Sequence, residues 1–264
     1  MNKGVQIYTV RDCIGTKEAY YEALRKIRDM GYNCVQAYAT PAVDEMELLA
    51  MLNDLGLRDC SVGGDLDAID QDPSLVKGIV EKAHLYGVNE VSIGTLRKEW
   101  RECEEGYHKF AEQVNRVGGL LAKEGLHLMY HSHALEFFAL GGGLKGMDII
   151  FGETDPDALH FCLDTHWLTA GGVSVLEWIY KVKGRMSVVH FKDYAIVGGA
   201  VKIEEVHKQF AEIGEGSLNW PDIIKACQDI GVEYYIVEQD VCKGDPFDSL
   251  ALSSRNLTRF GITA

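Results

Sequence analysis

Residues 220–238, WPDIIKACQDIGVEYYIVE, contain the repeating unit that decides the fold. Apolar side chains recur with helical spacing over residues 220–230, Gly231 follows, and residues 234–238 are rich in aromatic and β-branched side chains. Glycine is common just past the end of a helix, and such a run after it is typical of a strand. This stretch therefore predicts a helix, a turn and a strand in succession.

The same unit recurs along the chain. Further predicted helices cover residues 19–30, 45–55, 73–86 and 107–123, and Gly31, Gly56, Gly87 and Gly125 follow them. The predicted strands cover residues 5–10, 34–38, 58–62, 90–93, 127–131, 160–164, 187–191 and 234–238. About eight strands that alternate with helices predict a single (β/α)8 barrel domain over residues 1–264.

A doubly wound sheet is the alternative α/β fold, and the sequence does not favour it. That fold usually has a glycine-rich phosphate turn after its first strand. Here the first predicted strand runs into YTVRD at residues 8–12, and the glycines at 141–143 have no phosphate-loop lysine after them. We interpret the glycine run as a loop.

Composition restricts the partners and the compartment. The 264 residues carry a formal net charge of −14, which disfavours nucleic acid and acidic membrane surfaces as partners. The seven cysteines include no CxxC pair, and we expect reduced thiols in a cytoplasmic protein. No segment reaches the length of a membrane-spanning helix.

Polar residues accumulate where the last four predicted strands end, and barrel active sites lie at the carboxyl ends of strands. These ends carry His131, His133, Glu136, Asp164, His166, Trp167, His190, Lys192 and Glu238. Four successive strands thus deliver Glu, Asp, His and Glu to one rim. Three carboxylates and an imidazole suit Mn²⁺, Mg²⁺, Co²⁺ or Zn²⁺, and without a cation the carboxylates would repel one another.

Six motifs occur in order along nearly the whole chain. They are QIYTVRD at 6–12, YHSH at 130–133 with Glu136, LDT at 163–165, HFKD at 190–193, GEG at 214–216 with Trp220, and VEQD at 237–240. The ordered set resembles the sugar phosphate isomerase/epimerase superfamily of xylose-isomerase-like barrels. Within it, the chain looks most similar to the branch of inosose dehydratases and 3-keto-glycoside epimerases.

The resemblance implies one divalent metal ion, with Mn²⁺ the first expectation, and a small sugar-like substrate. It implies that the metal ligands are Glu136, Asp164, His190 and Glu238. Substrate contacts are implied near His131, His133 and Lys192, and Tyr8, His166 and Trp167 are further candidates. Many family members have a histidine three residues after the aspartate of the sixth strand, where this chain has Trp167, whose ring face suits a sugar ring.

The expected reaction is isomerisation or epimerisation of a sugar or keto-sugar by proton abstraction beside a carbonyl, through a metal-bound enediolate. Glu136 and Glu238 are the expected acid/base groups, His133 is the alternative base, and Lys192 is a proton donor or holds the oxyanion. A lyase or dehydratase on a keto-inositol or 3-keto-glycoside is the alternative, and a non-catalytic sugar-binding barrel is the third interpretation. A metal-dependent endonuclease would need a basic groove that the charge does not supply.

Several of these residues also have purely structural interpretations. Asp193 and Asp240 are predicted to be helix N-caps, and Tyr8 and Tyr38 could fill the barrel interior. His166 could orient Asp164 rather than contact substrate. We also expect a homo-oligomer, since barrels of this size often pair.

Overall fold

The computed structural model describes residues 1–199 and 202–264, and it divides into two compact units. The first unit comprises Met1–Cys60 and Val189–Ala264, and the second comprises Ser61–Val188. Among the described residues, no helix is both long enough and apolar enough to cross a membrane.

The elements follow one another in the order strand, helix, strand over most of the chain. The first segment contains β1 (Asn2–Gln6), α1 (Lys17–Asp29), β2 (Cys34–Gln36), α2 (Glu45–Leu55) and β3 (Arg58–Asp59). The second unit contains β4 (Val62–Gly63), α3 (Leu66–Gln71), α4 (Val76–Tyr86), β5 (Glu90–Ile93), α5 (Glu104–Ala122), β6 (His127–His131), α6 (Gly146–Glu153), β7 (Leu159–Asp164), α7 (Thr165–Ala170) and α8 (Val175–Lys181). The last segment contains β8 (Val188–Phe191), β9 (Asp193–Val197), β10 (His207–Ala211), α9 (Trp220–Ile230), β11 (Tyr234–Val237) and α10 (Pro246–Arg259).

The sheet of the first unit has the strand order β3-β2-β1-β11-β8. Strand β1 pairs in parallel with both β2 and β11. Gly4 makes this close pairing possible, because a Cβ there would lie 2.5 Å from the Cys34 Sγ and 2.6 Å from the Ile236 Cδ1. Any larger residue at this position would push the neighbouring strands apart.

The sheet of the second unit has the strand order β7-β6-β5-β4, and its pairings are parallel. The register places Glu90 beside His127, Met129 beside His160, and His131 beside Cys162. Residues in register share a face, and side chains alternate between faces along a strand. One face therefore carries the polar side chains, which are Glu90, His127, His131, His160 and Asp164. The other face carries Leu128, Tyr130 and Phe161, which are fully buried.

Two predicted strands differ from the structure. Strand β1 ends at Gln6, whose side chain accepts the Tyr8 N–H at 3.2 Å and begins a 3-10 helix over Ile7–Cys13. The predicted strand 58–62 is divided between β3 and β4, and the Cys60 N–H between them donates both to the buried Asp59 side chain at 2.9 Å and to the Val35 carbonyl at 3.0 Å. At Gln6 the side chain takes a backbone donor that an uninterrupted strand would use for its ladder.

Tyr8 and Tyr38 do not fill an interior. Their exposed fractions are 43% and 40%, respectively, and the Arg11 guanidinium lies 4.2 Å from the centre of the Tyr8 ring. The reason is the early end of both strands, which leaves each tyrosine in the segment that follows rather than on a sheet face.

Asp193 and Asp240 are not helix N-caps. Asp193 begins β9, which pairs antiparallel with β10 in a hairpin that the sequence analysis missed. Its buried carboxylate accepts the backbone N–H groups of Tyr194, Gly214, Gly216 and Leu218, and the Trp220 Nε1–H at 2.6 Å. Asp240 contacts Lys192 instead, and the N-cap of α10 is Asp245.

We expect the Asp193→Asn variant to lose about 2–3 kcal/mol of unfolding free energy, because the amide has one acceptor oxygen where a charged carboxylate now serves five buried or half-buried donors. Urea unfolding would measure the loss. Asp229→Asn is the matched control, because Asp229 is exposed and pairs with Lys225 on α9. A loss for Asp193→Asn no larger than that of the control would contradict the anchoring role.

Candidate active site

His190, Glu238, Lys192 and Gln36 form one buried group in the first unit, which we call the His190 cluster. The His190 Nδ1 lies 2.7 Å from the Glu238 Oε2, and its Nε2 lies 2.6 Å from the Gln36 Oε1. The amide of Gln6 in turn donates to the same Gln36 oxygen at 2.8 Å. The imidazole is thereby fixed by a carboxylate on one side and by an amide on the other.

Lys192 supplies the positive charge of this cluster. Its ammonium lies 3.1 Å from the Glu238 Oε2 and 3.1 Å from the Asp240 Oδ2, and only 1% of the residue is exposed. A buried ammonium requires such partners, since an unpaired buried charge is very costly. The two carboxylates therefore make the burial of this lysine possible.

Asp164 ends β7 in the second unit and is fully buried. Its Oδ1 accepts the Trp167 N–H at 2.9 Å and so caps α7. The cap explains why the strand passes directly into a helix here. It also fixes the carboxylate on the same face of the sheet as His131.

Glu136 is fully buried in a short 3-10 helix, Leu135–Phe137, that follows β6. One carboxylate oxygen accepts the Tyr130 hydroxyl, and the other accepts the His133 N–H at 2.8 Å. Burial raises the pKa of Glu136, although these hydrogen bonds oppose the shift. Tyr130 points to the apolar face of the sheet, so Glu136 has a less polar environment than Asp164.

Aromatic contacts connect the other predicted residues of the second unit. The His131 and His133 rings are 4.6 Å apart, the His133 and Trp167 rings are 5.7 Å apart, and the His166 and Trp167 rings are 4.9 Å apart. Trp167 is half-buried, and His166 is buried. These four rings form one contiguous group after β6 and β7.

The predicted residues thus form two groups. The first unit holds His190, Lys192 and Glu238 together and leaves Tyr8 exposed beside Arg11. The second unit holds His131, His133, Glu136, Asp164, His166 and Trp167. Gln36 and Tyr130 were not among the predicted site residues, because neither hydrogen bond, from Gln36 to His190 or from Tyr130 to Glu136, leaves a spacing signal in the sequence.

Because Glu136 has a raised pKa in the folded protein, its ionisation costs stability as the pH rises from about 4.3, the value in unfolded chains, through the raised value. A glutamine at position 136 cannot ionise, so the Glu136→Gln variant should not lose folding stability in this way. We therefore expect the melting temperature of Glu136→Gln, relative to wild type, to increase as the pH rises above about 4.3 in the presence of a chelator.

Calorimetry at several pH values would measure the difference, with the exposed Glu124→Gln as control. A relative melting temperature of Glu136→Gln that falls with pH would show that ionised Glu136 stabilises the fold and would contradict this interpretation.

Known proteins resemble the chain in sequence and in structure. An inosose dehydratase from Geobacillus thermodenitrificans (strain NG80-2) is 29% identical over 171 residues, which cover 59% of this chain and 55% of the relative. The chain therefore spans about half the length of this curated relative.

Two solved structures share the fold. A sugar phosphate isomerase/epimerase from Parabacteroides distasonis ATCC 8503 has a TM-score of 0.78 and 22% identity, over 97% of this chain and 93% of that chain. The IOLI protein, solved with a bound zinc atom, has a TM-score of 0.68 and 13% identity, over 98% of both chains. At these identities the likeness shows the fold alone.

The family assignment rests on residues 24–251, which match the model of the xylose isomerase-like TIM barrel. The match includes residues of both compact units and covers most of the chain. It confirms the predicted (β/α)8 barrel fold and the resemblance inferred from the ordered motifs. The chain belongs to the xylose isomerase-like TIM barrel family.

Proposed function

We propose that the protein is a divalent-metal-dependent isomerase or epimerase that removes a proton beside the carbonyl of a small sugar or keto-sugar. The observation that carries the proposal is the His190 cluster, a buried imidazole, carboxylate and ammonium at the ends of β8 and β11. In TIM barrels, the ends of the strands hold the catalytic residues.

The proposed metal ligands are Glu136, Asp164, His190 and Glu238. Their chemistry fits the group, since carboxylates and imidazole bind Mn²⁺, Co²⁺ and Zn²⁺. An ionised carboxylate has about four lone-pair sites, so the two hydrogen bonds to Glu136 leave acceptor sites for an ion. A bound divalent ion polarises the substrate carbonyl and acidifies the neighbouring C–H.

The two glutamates have different proposed proton-transfer roles. The Glu238 carboxylate, which lies 3.1 Å from the Lys192 ammonium, is the proposed base. Glu136 is the proposed acid, and because a metal ligand must be ionised, it would return a proton only after it has accepted one. His133 is the alternative base, and its ring lies beside His131 and Trp167.

Lys192 has a second proposed role. Its buried ammonium is the charge nearest to Glu238 in the His190 cluster, and it balances the carboxylates of Glu238 and Asp240. When Glu238 accepts a proton, Lys192 loses one of its two anionic partners and becomes available to hold a developing oxyanion. Lys192 therefore couples the proton transfer to the charge that forms on the substrate.

A dehydratase acting on a keto-inositol is the second candidate. The curated relative from Geobacillus thermodenitrificans is an inosose dehydratase, and this likeness favours the candidate. Both reactions begin with proton removal beside a carbonyl and differ only in their second step. Reprotonation gives an epimer or isomer, whereas loss of a hydroxyl gives an unsaturated product.

We expect Glu238→Gln to lower kcat by about 10²–10⁴-fold, because the amide cannot accept the substrate proton. Turnover would be followed in D₂O on a panel of keto-sugars and keto-inositols. Deuterium in an epimer or isomer supports the isomerase, and an unsaturated product supports the dehydratase. Glu233→Gln, an exposed change just before β11, is the control and should keep full activity. A wild-type kcat in Glu238→Gln would refute the proposed base.

We expect Trp167→Ala to raise KM about tenfold with a smaller change in kcat, because a ring face packed on a sugar contributes about 1.4 kcal/mol to binding. Trp167→Phe keeps a ring and should stay within a few-fold of wild type. Steady-state kinetics with the substrate that the panel identifies would measure both. An unchanged KM in Trp167→Ala would remove this residue from the substrate site.

A further inference from the structure

A second group of metal-ligating side chains lies in the second unit, away from the candidate active site. It consists of Glu90, His127, His160 and Ser187, and we call it the His127 cluster. Glu90 is the first residue of β5, His127 is the first residue of β6, and His160 is the second residue of β7. Parallel strands begin at one edge of the sheet, so this group lies at the edge opposite to the ends of β6 and β7.

The side chains of the His127 cluster are in direct contact. The His160 Nδ1 lies 2.7 Å from the Glu90 Oε1, and the Ser187 hydroxyl donates to the same oxygen at 2.6 Å. The His127 ring stacks on the His160 ring with centres 3.8 Å apart and planes 14° apart. One ligand atom from each of Glu90, His127 and His160 lies within 4.8 Å of the others.

Two polar atoms in this cluster lack hydrogen-bond partners in the described part of the chain. They are the Glu90 Oε2 and the His127 Nδ1, and both are buried. Glu90 itself is more than nine-tenths buried. Buried polar atoms are nearly always paired, and an orphan calls for an explanation such as an ion. A lone pair on each atom is available to a cation.

The protonation state of the cluster also suits a cation. Burial lowers the pKa of His127, and the neighbouring His160 lowers it further. Neutral imidazoles are the form that binds metals, and an ion at this site would hold His127 in that form. The His160 side chain is 15% exposed, so an ion can reach the cluster from solvent.

We propose that Glu90, His127 and His160 bind one transition-metal ion of the Zn²⁺ type. Two imidazoles and one carboxylate select Zn²⁺, Co²⁺, Ni²⁺ or Cu²⁺ over Mg²⁺ and Ca²⁺, which prefer oxygen ligands. The ion would connect the starts of three adjacent strands, because each ligand belongs to a different one. This site is independent of the proposed active site and of its metal.

Zinc bound per chain, measured by equilibrium dialysis, tests the proposal. We expect His127→Asn, His160→Asn and Glu90→Gln each to bind one Zn²⁺ fewer than wild type and to keep their turnover. Glu238→Gln should retain the ion of the His127 cluster. His108→Asn is the matched control, because His108 lies 2.8 Å from Glu153 in an exposed pair without a second imidazole. Equal zinc binding in wild type and in the three variants overturns the proposal.

A crystal of the wild-type protein soaked in ZnCl₂ gives a second readout that does not depend on how the variants fold. An anomalous zinc peak between His127, His160 and Glu90 supports the site. If zinc is found only at cysteines or at the strand ends, the cluster is a stacked pair of histidines with His160 hydrogen-bonded to Glu90, and the proposal is wrong.

Discussion

Alternation of side chains along parallel strands is the constraint on which the chemistry of the second unit depends. In β6, His127, Met129 and His131 share one face, while Leu128 and Tyr130 pack on the other. A single strand thereby provides a polar residue at its start, an apolar residue in its middle and a polar residue at its end. Strand β7 repeats the arrangement with His160, Cys162 and Asp164. The same alternation produces both the candidate active site and the His127 cluster.

The burial of charged side chains is the second constraint, and it governs the first unit. Lys192, Glu238 and His190 are almost completely buried. Their burial is compatible with a stable fold because the Glu238 carboxylate contacts both the Lys192 ammonium and the His190 imidazole. Asp193 follows directly on this group and anchors the segment around Gly214–Leu218 through its hydrogen bonds. The HFKD motif therefore has two functions. His190 and Lys192 belong to the His190 cluster, and Asp193 holds a neighbouring loop in place.

Sequence reasoning predicted the strands that are marked by the pattern of apolar side chains and by a glycine after the preceding helix. Strands β5 and β6 occupy the predicted residues, and the family match confirms the barrel. It failed at the end of β1, where the Gln6 side chain takes a backbone donor, and at the division between β3 and β4. The β9–β10 hairpin was missed because its alternation is weak. The assignment of Glu136, Asp164, His190 and Glu238 as ligands stays a prediction, and no spacing signal revealed that Tyr130 holds Glu136.

The most direct measurement is the binding of Mn²⁺ to protein stripped of metal, followed by the loss of the free Mn²⁺ signal in electron paramagnetic resonance. The account predicts one Mn²⁺ bound tightly per chain in the wild type and none in either Asp164→Asn or His190→Ala, because a single ion needs both ligands. Tight Mn²⁺ binding that survives in either variant, or no Mn²⁺ binding by the wild-type protein, would contradict it.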